Sequence, residues 1–532
     1  MVPNMSQVCD DLLLVQYAHS LSSGEWLGTY CKMTLAKNPG YAFILLLPSS
    51  LGISYQTLFI SLQALAALCF AFVAYDVLDG ALGALVAYLT LLFMPELFTF
   101  ELFQRVYRMG IIIPFVIALF SSYIALYLHK DRPAHALLPW AVIAGFSLFE
   151  LFILKEDGVW VMPYVGVVSI ILLVHWLRSR ILASLTTTEL IARIVILVLP
   201  LVMLRTGTEA ICARNKQVYG ISTTCERTDS GFSRFCSLLL MIDGDNENPR
   251  AWVSSSSLEQ AIAASPTLAS IAPEIHASLD EWQSAENGDL IFWAMRNAYE
   301  RAGGYTDGAT TDAFWSAVAE ELEQSFASGA LTKKDGVQIS SLLPPVTTGD
   351  IGTIARSCMH NLKVVFLHRQ IKAWHDHGSG KLEDQMIAAD LLNGVTAIDD
   401  GTEAAPAQIK ALDRNESILS LIRSYDGTLC VMQLLGTAAL LYLAFVRHYS
   451  PARDVCLFSL GLTLSIVVLL IGVSIQTAYL TDTADWAAYM YSAGAYPLMW
   501  MTGVMTIGVC VRYAIDKVLG RETSKEPIHQ TV

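Results

Sequence analysis

The chain has 532 residues, 54% of them hydrophobic and 15% charged, with a formal net charge of −14 and a mean hydropathy of +0.47. Those values exclude an ordinary soluble globular domain, and the acidic balance argues against nucleic acid as a partner. The apolar residues form two blocks around a polar middle, so the composition predicts a membrane protein with a soluble insert.

Residues 1–40 lack the basic start, short apolar core and small-residue cleavage site of a signal peptide. They are polar and hold Asp10-Asp11, then Gly24-Glu25-Trp26-Leu27-Gly28-Thr29-Tyr30, then Thr34-Leu35-Ala36-Lys37-Asn38-Pro39-Gly40-Tyr41. The apolar run 41–48 ends at Pro48 and is too short to cross a bilayer; it reads as a re-entrant or interfacial helix. Runs long enough to span follow at 53–78, 81–98, 109–128, 136–154, 158–176 and 189–207. A polar stretch, 208–427, comes next, and three further spans at 428–446, 455–479 and 488–511. The expected fold class is therefore an all-α polytopic membrane protein of about nine transmembrane helices. Its mainly helical soluble domain, 208–427, is inserted before the last three spans. Region 1–52 precedes the first span as an outer loop, and 512–532 forms the tail.

Lysine and arginine bias orients the spans. Lys130 and Arg132, Arg178 and Arg180, Arg447 and Arg453, and the tail with Arg512, Lys517, Arg521 and Lys525 all alternate consistently as cytoplasmic. Residues 1–52, the turn at 154–158, the 208–427 domain and the acidic 480–487 loop then share the outer face. Arg105 and Arg108 dissent, a basic pair on the wrong side. An outer N-terminal loop with no span before it either translocates unaided or follows a first helix that precedes this sequence, and the second is the expectation.

Within the insert, Leu290 to Tyr299 places apolar residues on one helical face, and Phe314, Trp315, Val318 and Leu322 do the same over 311–328. Pro344-Pro345 breaks the pattern, while Ser254 to Ser257 and Asp243 to Pro249 read as loops. Ten cysteines show no zinc spacing. Cys212, Cys225 and Cys236 are either partly disulfide-bonded or buried free thiols.

Asp10 and Asp11 have two readings. A carboxylate before Leu12-Leu13-Leu14 caps the helix that follows; a desolvated one beside a second acid serves as a general base or holds a divalent cation such as Mg or Mn. Lys37, Arg105 and Arg108 either snorkel to headgroups or meet a lipid-borne phosphate. Lys155-Glu156-Asp157-Gly158 is either a solvated turn or brings Glu156 and Asp157 to the same polar site, with Glu150 one turn deeper. Tyr489, Tyr491, Tyr496 and Trp500 form an interfacial belt or line a sugar or prenyl groove. His375-Asp376-His377 and Asp243 to Glu247 are weak metal patterns, and no phosphate loop, dinucleotide fingerprint or serine elbow occurs.

The order of these segments resembles GT-C membrane glycosyltransferases. The pattern is two aspartates, a short helix, G-E-W-L-G-x-Y and T-L-x-K-x-P-G-Y before a span. It is most similar to a bacterial family-39-like group that uses polyprenyl-phosphate sugars. Arg105-Val106-Tyr107-Arg108, Lys155 to Trp160, Ala495-Tyr496-Pro497-Leu498, Asn215 to Gly220 and Gly288 to Tyr305 extend the likeness. Asn38 stands where glycine is expected and Ala42 where proline is. The resemblance implies a multi-pass enzyme of the bacterial inner membrane and cell envelope, with a periplasmic domain. It implies transfer of a sugar from a polyprenyl-phosphate donor to an acceptor hydroxyl on a glycan, lipid or protein. Asp10 or Asp11 would be the base, with Glu156 and Asp157 beside it. Lys37, Arg105, Arg108, Trp26, Tyr30, Tyr41 and Tyr496 would bind substrate. A transporter or flippase, or a non-catalytic membrane protein with an outer binding domain, is the alternative.

Overall fold

The computed structural model describes residues 1–182, 184–245, 251–282, 288–368, 371–373, 378–394, 405–478 and 485–520. Among these the chain is helical, with isolated β-bridges and no strand. Two short helices, α1 (Asp11–Ser22) and α2 (Gly40–Leu51), precede α3 (Tyr55–Leu78) and α4 (Ala81–Leu92). Then come α5 (Ile112–Leu128), α6 (Ala134–Leu154), α7 (Met162–Ile181) and α8 (Thr187–Tyr219). The polar middle contributes α9 (Gly231–Met241), α10 (Ser255–Ala264), α11 (Pro266–Ala269), α12 (Ala272–Trp282), α13 (Leu290–Arg301) and α14 (Gly308–Ala327). It continues with α15 (Ile351–Phe366), α16 (Leu382–Leu392) and α17 (Ala405–Ser424). The chain closes with α18 (Asp426–Leu441), α19 (Ser450–Ala478), α20 (Asp485–Tyr491) and α21 (Ala495–Val518).

Among the described residues, nine helical stretches are long and apolar enough to cross a membrane. Eight overlie the expected runs, whereas the ninth is Ala495–Val518 rather than 488–511, because residues 485–491 form the separate α20. The helix around α5 is the innermost: 89% of its most apolar window is buried, against 17% for the stretch through α18. The loop that carries Arg105 and Arg108 runs straight into this central helix. The sixth run overshoots its expected end at 207. As α8 it continues to Tyr219 and is about 50 Å long, so it projects beyond a bilayer core of about 30 Å.

Two expectations need correction. The apolar run that ends at Pro48 continues as helix to Leu51 and stops at Gly52, which takes the left-handed conformation at φ 66°. Ser255 to Ser257 are helix, not loop, and Ser254 is its N-cap: the Ser254 hydroxyl accepts the Ser257 N–H. All ten cysteines are free, with Cys225 and Cys236 buried, which is the buried-thiol alternative. The motif His375 to His377, residues 246–250 of the calcium-like pattern, most of the 480–487 loop, and Arg521 and Lys525 lie outside the described residues.

The polar middle has a hydrophobic core of its own, built by α9 to α14 around Phe235, Phe292 and Trp315. It meets residues 1–51, 99–107, 155–157 and 485–494 at one end of the helix bundle. Ion pairs and hydrogen bonds record this: Lys32 with Glu300, the Phe100 N–H with Lys372 O (3.0 Å), and His360 with Asp485.

Candidate functional site

The N-terminal segment is stitched to the loop before α5. Val2 N–H donates to Gln104 O (2.7 Å) and Val106 N–H to Val2 O (3.2 Å). The loop doubles back through a π-turn at Phe100–Gln104. That fold demands glycine at position 110, because a Cβ there would stand 1.5 Å from the Leu102 carbonyl oxygen. Gly40 is equally constrained against the Ile153 backbone, where a Cβ would approach to 2.6 Å. This close approach brings Asn38 to the end of α6, and its Nδ2 donates to Phe152 O (3.0 Å).

These contacts bring the predicted acids and cations together. Asp10 occupies the N-cap position of α1, but its side chain does not cap the helix. It pairs with Lys37 Nζ and accepts from the Tyr107 hydroxyl (3.0 Å). Asp11 is fully buried and takes Arg105 through Nη2 (2.7 Å) and Nε (3.2 Å) plus the Asn4 N–H (3.1 Å). Arg105 Nη2 also lies 3.8 Å from Asp10. Arg108 pairs with Glu156 (2.9 Å), which also accepts the Asn38 N–H (3.1 Å). Asp157 instead pairs with Lys155 (2.5 Å). Tyr107 stands among the three cations: Lys37, Arg105 and Arg108 lie 5.2, 4.6 and 5.9 Å from its ring centre.

Burial and charge set the acids apart. Burial raises the Asp10 carboxyl, but Lys37, by charge and hydrogen bond, and then Arg105 and Arg108 hold it down at about 2. Burial pushes Asp11 up to about 6 against the pull of Arg105. Burial raises Glu156 too, yet Arg108 and then Lys37 keep it well below the usual carboxylate range. The Asp10 side chain is 36% exposed and that of Asp11 is 0% exposed, so a reactant can reach only the first. Arg108 Nε and Asn38 Oδ1 are buried without a hydrogen-bond partner. Such groups are costly to leave unmet.

The polar middle supplies residues that the sequence reading did not single out. Burial and then the Asp10 charge push the Cys9 thiol up to about 12, with Lys37, Asp289 and Arg227 also acting on it. The Tyr491 hydroxyl feels Asp10, Asp289 and Lys37, and Lys155 Nζ stands 4.9 Å over its ring. Arg227 pairs with Asp289 (2.9 Å) and sits 5.1 Å over Trp293. This wall faces the carboxylates from the insert.

Four aromatic residues expected to bind substrate have hydroxyl or indole partners outside the cluster. Trp26 donates to Asn215 (2.7 Å) and Tyr30 to Glu226 (2.5 Å). The Tyr41 and Tyr55 hydroxyls bond each other (3.0 Å), and the buried Tyr496 donates to Tyr489 O (3.1 Å). Tyr30, through Glu226, belongs to a clamp centred on Arg296. Arg296 is buried on α13, pairs with Glu226 (2.6 Å) and donates to Lys32 O (2.6 Å) and Thr34 O (2.9 Å). It fixes the loop that presents Lys37.

A cavity of about 560 Å³ lies between α4, α18 and α21, lined by Leu82, Val86, Met432, Val504 and Ile507. His368 and Trp500 are at one end and Asp79, Arg512 and Asp516 at the other. The predicted site residues do not line it. A relay joins them to it instead: Trp500 donates to Glu96 (3.1 Å), Tyr489 to Thr99 (3.2 Å), and Arg105 to the Met490 sulfur (3.8 Å).

The donor set does not suit the divalent cation considered for Asp10 and Asp11. Their oxygens already face Lys37, Tyr107, Arg105 and Asn4, and three cations balance the charge. Among the described residues no group of three or more His, Cys, Asp and Glu side chains could hold a metal. No protein-family model, curated protein or solved structure matches this chain.

Proposed function

We propose that the chain is a membrane glycosyltransferase. In this reading it moves a sugar from a polyprenyl-phosphate carrier to an acceptor hydroxyl on the extracytoplasmic side of a bacterial inner membrane. One observation carries the reading. Three buried cations, Lys37, Arg105 and Arg108, meet a half-exposed carboxylate, Asp10, at the N-terminal end of the most buried helix. A helix N-terminus favours anions, so cations gathered there suit a phosphate better than they suit one another. Three basic loops and the tail support the outer side by the orientation bias, from which Arg105 and Arg108, paired here with Asp11 and Glu156, depart.

The chemistry is a single displacement. The acceptor oxygen bonds to the anomeric carbon as its proton passes to Asp10. The bond from that carbon to the phosphate oxygen breaks, and its electron pair leaves with the polyprenyl phosphate. Lys37, Arg105 and Arg108 stabilise the departing phosphate. Asp11 and Glu156 act as positioning residues that aim the two arginines. The cavity between α4, α18 and α21 suits the carrier's apolar tail, and Arg227, Asp289 and Trp293 suit the sugar or acceptor.

Full-length protein in nanodiscs, given a panel of synthetic polyprenyl-phosphate sugars and hydroxyl acceptors, should release polyprenyl phosphate with inverted anomeric configuration in the product. No release across the panel, together with no binding of polyprenyl phosphate, sinks the reading. A second reading, lipid translocation, draws on the cavity's polar groups at both ends. Scrambling of fluorescent phospholipid in proteoliposomes without sugar transfer would favour it.

A further inference from the structure

We infer that Asp10 is a built-in occupant of the phosphate site: it holds Lys37 until a phosphate takes the lysine over, and the same exchange frees Asp10 to act as base. The inference rests on the glycosyl-transfer reading and adds a control step to it.

The geometry sets up a competition for one cation. Lys37 is 4% exposed. Its ammonium is held by Asp10 and by the Tyr107 hydroxyl, 3.2 Å away. The other two cations have carboxylates of their own, the fully buried Asp11 on Arg105 and the 16% exposed Glu156 on Arg108. Those two acids are tied down further by backbone N–H groups, Asn4 on Asp11 and Asn38 on Glu156. Asp10 has no such backbone tie, is 36% exposed and follows the irregular segment 1–9 at the start of α1. It is the acid that can leave.

An anion arriving at Lys37 therefore meets a carboxylate already in place. While Lys37 and Tyr107 occupy Asp10, the acid is a poor proton acceptor, consistent with its value near 2. A phosphate that takes Lys37, and the Arg108 Nε that lacks a partner, removes the charge that suppresses Asp10. Arg105, Cys9, Tyr491, Asp289 and Arg227 remain around the freed acid. No covalent bond changes in this step. The ammonium exchanges one anionic partner for another, and the acid becomes basic only when the leaving group is seated.

The test is equilibrium binding of decaprenyl phosphate to the full chain in nanodiscs, with inorganic phosphate as the headgroup alone. Removing the occupant should tighten binding, so Asp10→Asn should bind decaprenyl phosphate roughly tenfold more tightly than the natural chain. Lys37→Met should bind at least roughly tenfold more weakly, and the double variant should be as weak as Lys37→Met alone. Equal or weaker binding by Asp10→Asn, with the natural chain still binding, overturns this inference and leaves the carrier-binding reading standing. Absence of binding by the natural chain overturns both.

A measurement on the natural sequence guards against a variant that fails to fold. Water-soluble carbodiimide attacks protonated carboxyls, and its adduct on Asp10 can be counted by peptide mass spectrometry. Decaprenyl phosphate should raise that labelling several-fold as the acid regains ordinary proton affinity. Unchanged or reduced labelling at saturating decaprenyl phosphate counts against the exchange. Inorganic phosphate that reproduces the rise would assign the effect to the headgroup rather than to the tail.

Discussion

Arg193, at the end of the bundle opposite the Asp10 cluster, is buried to 5% exposure, much as Arg108 is at the cluster. Its nitrogens are nevertheless all engaged: Nη1 donates to Lys130 O (2.7 Å), Nη2 to Arg132 O (2.8 Å) and Nε to Glu189 (3.2 Å). Arg108 keeps an unpartnered Nε, and Lys37 is held by a carboxylate that solvent can reach. The two ends are both charged, so charge alone does not mark a site. The difference lies in whether a buried cation is completed by fixed backbone carbonyls, as in a structural staple, or by acids that a ligand can replace.

Substitutions at the two ends should separate these roles. The largest effect falls on sugar transfer. Asp10→Asn should lower the transfer rate by roughly 100- to 10,000-fold, the scale of one general base, measured at a temperature where the variant is still folded, since it also loses the stability of the Lys37 pair. Asp76→Asn at the far end, which removes the partner of His129, should leave the rate within about twofold. Similar losses at both ends would erase the distinction. Next comes the clamp. Glu226 and Arg296 are each 1% exposed, so Arg296→Met strands a buried carboxylate and should cost about 3–5 kcal/mol in thermal unfolding. Adding Glu226→Gln should restore part of that loss, because the stranded charge disappears with it. A neutral Arg296→Met would mean that the loop carrying Lys37 is positioned by something else.

Much of the site was legible because its residues conflict with their surroundings. Two acids before an apolar run, a lysine just ahead of α2 and two arginines on the wrong side of an orientation rule each call for a partner. The structure makes them one another's partners. The aromatic residues were not legible in the same way. Trp26 and Tyr30 carry polar tips whose partners, Asn215 and Glu226, lie far away in the chain, and spacing says nothing about such pairs. Arg227 and Asp289 lie in the loops before α9 and α13, where no spacing sets them apart. Arg296 left a usable signal: a cation on the apolar face from Leu290 to Tyr299 must be matched when that face is buried. Tyr107, between two arginines, left one as well. The nine long helices were the easiest part, since about 20 apolar residues in a row have few other uses. The serine run at 254–257 misled because serine both ends loops and caps helices.

The staple provides the next contrast. Arg193→Met removes the donor to Arg132 O and one of the two donors to Lys130 O, which keeps Trp176 Nε1 (2.8 Å), and should cost about 1–3 kcal/mol in thermal stability. Decaprenyl phosphate binding should be unchanged. Weaker binding would mean that the two ends are coupled through the bundle and that the separation drawn here is too sharp.

The smallest effect is on the acid limb of stability, and its sign differs within the cluster. Asp10 sits near 2 when folded, against an ordinary 3.8, and Glu156 is likewise held below its ordinary range. On acidification the unfolded chain therefore takes up these protons before the folded one does. The stability they contribute is fully present above about pH 5 and is lost as the pH falls through about 4 towards 2. Asp11 runs the other way. Its folded value near 6 makes its contribution greatest below its ordinary 3.8 and lost as the pH rises through 6. Melting temperature followed from pH 7 to pH 3 should thus fall most steeply below about pH 4. Asp10→Asn and Glu156→Gln should each flatten that fall, since each removes a proton taken up on unfolding, whereas Asp11→Asn should steepen the net loss between pH 6 and pH 4. If none of the three variants changed the slope, the acid sensitivity would belong to other groups and not to the acids gathered around Lys37, Arg105 and Arg108.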